Sequence, residues 1–128
     1  MTLAINVVES KRVPRIGPYS QAIRVGDLVF TAGQPGIDPV NGNVAGDGFE
    51  AQARQALHNL RAVLEDAGSS LERVVKVTCF VADATAFATL NALFAEFFPT
   101  TPPVRSTPVV ALPRGLLFSI EAIAVVNG

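Results

Sequence analysis

Apart from Arg114 in its "LPRG" turn, two charges stand in the apolar stretch "PPVRSTPVVALPRGLLFSIEAIAVV", residues 102–126: Arg105 near its start and Glu121 inside its last hydrophobic run. A carboxylate among apolar neighbours must reach water, find a partner or hold a proton. A guanidinium among them offers a planar fork that matches a carboxylate. One reading joins the two in a structural ion pair, or sends Glu121 to solvent from an edge strand. The other has both line a pocket, where Arg105 grips the carboxylate of a small acid and Glu121 holds a water or moves a proton.

Other residues with chemical potential are scattered. "IGPYSQA" places the only tyrosine, Tyr19, on a Gly-Pro turn before a strand, with structural and binding roles equally open. "TAGQPG" sets glycines, Gly33 among them, just after a strand, where backbone can approach a ligand closely. His58 lies at helical spacing from Arg54 and Arg61 and reads as surface. Cys79, between Thr78 and Phe80, reads as a buried, inert thiol because no base adjoins it. One histidine and one cysteine make no zinc cluster, so no metal is expected.

The elements that must position these residues follow from periodicity. "AIRVGDLVFTAG" is a hairpin, with strands Ala22–Val25 and Leu28–Thr31 joined by Gly26-Asp27. A loop rich in Gly, Pro, Asn and Asp leads to apolar residues at Phe49, Ala53, Ala56, Leu57, Leu60, Leu64 and Ala67, the stripe of a helix that Gly68 stops. "LERVVKVTCFVAD" reads as a strand. Asp83 then caps a second helix with a core stripe of Phe87, Leu90, Phe94 and Phe97, and Pro99, Pro102 and Pro103 end it. The remainder reads as a final hairpin, 105–111 with 116–126, turning through "LPRG", and an extra strand is expected near Ile5–Val8. In the last strand Phe118, Ile120, Ala122 and Ala124 face the helices, while Leu117, Ser119, Glu121 and Ile123 face away. Two helices cover only one face of such a sheet.

Residues 1–128 are read as one domain. Hydrophobic residues make up 49% and charged residues 16%, against about 25% charged in an average chain, so a second apolar surface should be buried between subunits. A net charge of −1, with no run of like sign, gives a nucleic-acid backbone nothing to follow. No apolar run reaches membrane-spanning length, and the N-terminal residues lack a signal-peptide pattern, so a cytoplasmic protein is expected, with no membrane partner.

The pieces "IGPYSQA", "TAGQ", "AQARQALHNLRAVLEDAG", "VVKVTCFVAD", "FATLNALF", "PPVRS" and "IEAIAV", in this order and spacing over residues 16–125, resemble the Rid family, also called YjgF-type proteins, the reactive enamine/imine deaminases. The resemblance implies a chorismate-mutase-like α+β subunit, a mixed sheet with two helices on one face, and a homotrimer with sheets turned inward and ligand pockets between subunits. It implies hydrolysis of 2-imino acids, formed from 2-aminoacrylate or 2-aminocrotonate released by pyridoxal-phosphate dehydratases, to 2-keto acids and ammonia, without a cofactor. It places the catalytic pair on Arg105 and Glu121, and substrate contacts on Tyr19, Gly33, Asn91, Arg105 and Thr107.

Three positions depart from the family pattern. Ala32 stands before the glycine where active deaminases of the family commonly carry serine, Thr107 stands where many have cysteine, and Pro108 follows in place of an apolar residue. Pro108 also removes a backbone donor and confines its strand to an edge or a bulge. These departures motivate two rivals: a non-catalytic, carboxylate-binding or chaperone-like trimer, and a deaminase for a larger acid such as 2-aminomuconate, with Arg15 reading a second carboxylate. A ribonuclease reading, sometimes attached to the family, gains nothing from a pI near 5.7.

Overall fold

The computed structural model describes residues 2–128. Strand β1 (Ile5–Val8) pairs with β2 (Ala22–Val25), and β2 with β3 (Leu28–Thr31), all antiparallel. Gly26 takes φ +57° in the tight turn, a left-handed conformation that glycine adopts without steric cost. A two-residue strand β4 (Gln34–Pro35) precedes helix α1 (Phe49–Asp66); β5 (Val74–Val81), α2 (Phe87–Phe97), β6 (Val104–Ser106) and β7 (Phe118–Val125) follow. The sheet order is β1-β2-β3-β7-β5-β6, with β4 added beside β7. Only β5 and β6 run parallel, so the sheet is mixed.

Both helices pack on one face. The stripe expected for α1 is buried from Ala53 to Ala67, with Phe49 half-buried at its start. In α2, Leu90, Phe94 and Phe97 are buried as expected, but Phe87, at the first position of the helix, is exposed. The side of β7 made by Phe118, Ile120, Ala122 and Ala124 lies beneath the helices with almost no exposure. α1 ends where the periodicity stops, with Gly68 at φ +83°. Gly36 matters for a different reason: a Cβ there would lie 2.2 Å from the Gln52 carbonyl oxygen, so only glycine lets the chain after β4 run this close to α1.

Several sequence expectations need correction. The final hairpin does not exist. β6 pairs in parallel with β5, and β7 pairs with the other edge of β5, so β5 separates the two segments expected to pair. A helical crossover through α2 delivers β6 parallel, as such connections require. Pro108 then ends regular pairing: its carbonyl accepts from Val81 N–H and Val110 N–H donates to the Val81 carbonyl, and the chain crosses the end of β5 into β7. β6 is an edge strand, as Pro108 demands. "LER" is a 3-10 turn (Leu71–Arg73) rather than strand, and Asp83 caps the 3-10 turn Ala84–Ala86 that leads into α2. β4 was not expected, since two residues carry no period.

Candidate functional site

Arg105 and Glu121 sit on opposite faces of the sheet. Arg105 is in register with Val77, and Val77 with Ala122, a row that points toward the helices. Glu121 is in register with Thr78, and Thr78 with Ser106, a row on the open face. With β5 between them, their backbones are two strand spacings apart, about 10 Å. The sequence alternative that paired them in an ion bridge is therefore overturned: among the described residues the ion pairs are Arg12 with Glu65 and Asp66, and Arg54 with Glu50 and Glu96.

At the sheet edge, the Arg105 guanidinium lies over the Phe94 ring, 4.8 Å from its centroid, and its Nη2 donates to Asn91 Oδ1 at 2.8 Å. Phe94 is part of the core, so this platform is rigid. Asn91 is neutral and uses one acceptor, which holds the fork in place without neutralising it. The structure thus brings Arg105 and Asn91 together. Thr107 is half-buried, just past the end of β6.

Tyr19 and Gly33 meet elsewhere, in a groove of about 460 Å³ on the open side, walled by Leu112, Pro113 and Leu116. Tyr19 N–H donates to the Gly17 carbonyl, and its hydroxyl accepts from Ile16 N–H at 3.3 Å. A Cβ on Gly17 would come 2.9 Å from the tyrosine ring, so glycine there admits the folded-back ring. Tyr19 remains 38% exposed, so it is not a core residue. Arg15 is exposed and does not line this groove. Glu121 opens into a smaller neighbouring hollow of about 140 Å³ with Phe30, Lys76 and Thr78.

Buried amides position the groove, and periodicity alone did not single them out. Gln52 of α1 accepts from Leu117 N–H at 2.8 Å and donates to the Gly46 carbonyl, which ties the wall loop to the helix. Asn59 donates to the carbonyls of Ile37 and Pro35 and so fixes β4 beside Gly33. Gln21 donates to the Val13 carbonyl and accepts from Ser10 N–H, anchoring the segment that carries Tyr19. The signal available was an amide inside an apolar stripe, since such a group is buried only with its partners satisfied.

Thr31 points into the protein, where its Oγ1 accepts from Ala122 N–H at 3.0 Å, so it does not supply a hydroxyl to the groove. His58 is exposed on the outer helix surface, edge-on to Phe97, and burial together with Arg61 and Arg54 lowers its pKa. Cys79 is buried beneath the helices. Burial pushes its pKa up to about 12, with Arg105 acting weakly the other way. Neither residue joins a site. Among the described residues no cluster fit for a metal occurs, and no helix is long and apolar enough to cross a membrane.

The open face carries a continuous row across six strands: Val7, Ile23, Phe30, Ile123, Lys76 and Val104, each in register with the next. Val7, Phe30 and Val104 are all well exposed. Five apolar members out of six is the composition of a face meant for burial.

A family model described as Endoribonuclease L-PSP matches residues 9–126, and the chain belongs to this family, the Rid or YjgF-type proteins. It is 41% identical over 124 residues to a RutC family protein of Pyrococcus abyssi, covering 95% of this chain and 98% of the relative. It is 41% identical over 121 residues to the 2-iminobutanoate/2-iminopropanoate deaminase of Mus musculus, covering 93% and 90%. Among solved structures, E. coli TdcF with bound serine superposes with a TM-score of 0.87 at 38% identity, covering 95% of this chain and 99% of that one.

Proposed function

We propose that this protein is an enamine/imine deaminase that hydrolyses 2-imino acids to 2-keto acids and ammonia. The observation that carries the reading is the state of Arg105: a guanidinium held in place by Asn91 and Phe94, with no carboxylate among its partners. Such a fork is prepared for a carboxylate brought by a ligand. A related structure holds serine, an acid of the size in question, and relatives such as the mouse protein carry the deaminase name.

The site is built between copies of the chain. One copy supplies Arg105 and Asn91 from the sheet edge, with Thr107 beside them; the next supplies Tyr19, Gly33 and Glu121 from its open face. The apolar row on that face is what the copies bury against one another, in a homotrimer. Arg105 fixes the substrate carboxylate and so places the imine carbon. Glu121 takes a proton from a water as the water oxygen bonds to that carbon. With the imine nitrogen entering protonated, the resulting carbinolamine is neutral. Glu121 returns its proton to that nitrogen, then accepts the hydroxyl proton as the C–N bond breaks and the C=O bond forms, and the departing ammonia carries that last proton away as ammonium. The product is the 2-keto acid, and no cofactor takes part. A cytoplasmic setting and supply of substrate by pyridoxal-phosphate dehydratases belong to the same reading.

The test generates 2-aminoacrylate or 2-aminocrotonate with such a dehydratase and follows keto-acid release with and without this protein. Faster release, abolished in Glu121→Gln, is the expected result. No acceleration at any concentration, with 2-oxobutanoate still bound, would establish the non-catalytic binding trimer instead.

A further inference from the structure

Ser119 lies on β7 between Phe118 and Ile120, both fully buried under the helices, so its side chain points to the open face. Glu121 shares that face two residues along, about 7 Å away at the rise of a strand. The Ser119 hydroxyl stands directly over Gly33: a Cβ built on that glycine would lie 2.9 Å from Oγ. It therefore sits inside the groove that holds Tyr19 and Gly33, half-buried. The side-chain hydrogen bonds made to residues 116–123 are those of Gln52 to Leu117 and Thr31 to Ala122, and neither uses it. Ala32, which lines the same groove, brings no hydroxyl. Tyr19 OH already accepts from Ile16 N–H.

A hydroxyl that is half-buried, without a hydrogen-bond partner among the described residues and placed over the barest backbone in a groove is a donor waiting for an acceptor. We propose that Ser119 is a substrate-contacting residue, whose hydroxyl donates to the carboxylate of the imino acid lying over Gly33. The inference rests on the deaminase reading and extends it. The carboxylate is then held from both sides, by Ser119 of one copy and Arg105 of the next. The distance along the strand leaves Glu121 beside the imine carbon rather than the carboxylate. Because the hydroxyl bonds a group whose charge does not change during the reaction, it contributes to binding more than to turnover.

The experiment compares wild type, Ser119→Ala and the double variant Ala32→Ser/Ser119→Ala, which moves the hydroxyl to the neighbouring wall of the groove. Calorimetric titration with 2-oxobutanoate and steady-state hydrolysis of 2-iminobutanoate are the readouts, with thermal unfolding as a check on folding. Ser119→Ala is expected to weaken 2-oxobutanoate binding and raise KM by about 10- to 100-fold, the range for a hydrogen bond to a charged group, with kcat within about two-fold. The double variant should regain most of that loss. Unchanged Kd and KM in a folded Ser119→Ala protein would overturn the proposal, as would a loss that the hydroxyl at position 32 leaves unrecovered. If wild type neither binds the keto acid nor hydrolyses the imine, the deaminase reading fails and this inference falls with it.

Discussion

Replacing Arg105 with alanine should separate its contacts at the sheet edge from the ligand-holding role proposed for it. In the free protein the guanidinium makes one hydrogen bond, to Asn91 Oδ1, and one cation–π contact, with Phe94. The first is worth about 1 kcal/mol, and the second about 0.5–1 kcal/mol at a partly exposed site. The variant should therefore lose about 1–2 kcal/mol of stability, a drop in Tm of roughly 3–8 °C for a chain of this length. Most of the population stays folded, since domains of this size have a margin of about 5–15 kcal/mol. The cost to catalysis is larger. Removing one partner of a charged, hydrogen-bonded pair at an interface costs about 2–5 kcal/mol; the partial exposure of Arg105 favours the lower end. That corresponds to a fall in kcat/KM of about 30- to 150-fold at 25 °C. Arg105→Lys keeps the charge but not the fork, and is expected to recover only part of the loss. The assay is kcat/KM for 2-iminobutanoate hydrolysis beside a thermal melt of each variant. Wild-type kcat/KM in folded Arg105→Ala, or a loss that only follows the unfolded fraction, would refute the reasoning.

Three further outcomes follow from the geometry. Gly36→Ala forces a Cβ against the Gln52 carbonyl of α1; because backbone must move, a loss of at least about 3 kcal/mol is expected by urea unfolding, and wild-type stability would show that the close approach is dispensable. For Asp66, partial burial opposes the charge, but hydrogen bonds from Arg12 and Ser10 outweigh it and hold the pKa below its ordinary value of 3.8. A folded pKa below the unfolded one stabilises above the unfolded value and is lost as pH falls through the folded one. Asp66→Asn should thus be less stable than wild type by about 1 kcal/mol near neutral pH, with the gap closing in acid; a gap that widens in acid would contradict the sign. Cys79, with its thiol pushed up to about 12 and buried, should resist iodoacetamide at pH 8 in the native protein and react once the chain is unfolded in urea; rapid native labelling would contradict its burial.

What was legible in the sequence was whatever repeats with a period. The β2–β3 hairpin, the stripe of α1 and all of the α2 stripe except the exposed Phe87 lie where apolar spacing and turn residues place them, and so does the division of β7 into a helix-facing and an outward side. What was not legible depends on partners distant in sequence. β6 has three residues, too few for a pattern, and whether it joins β7 or β5 is decided by the α2 crossover and by Pro108. That error hid the central fact of the site, because pairing β6 with β5 is what puts Arg105 and Glu121 on opposite faces. Gln52 and Asn59 fell in the α1 pattern without drawing notice, although they tie the groove to the helix. Strand alternation places Ser119 on the outward side of β7 and no further, since its position over Gly33 depends on β4.

The central claim, that each active site takes Arg105 from one chain and Glu121 from another, is tested most directly by mixing two inactive variants. Arg105→Ala and Glu121→Gln chains are unfolded together, refolded as a mixture and assayed for 2-iminobutanoate hydrolysis. In randomly assembled rings about one quarter of the sites combine an intact Arg105 with an intact Glu121 from the neighbour. The account predicts recovery toward that fraction of wild-type activity, and a mixture no more active than its parents would contradict it.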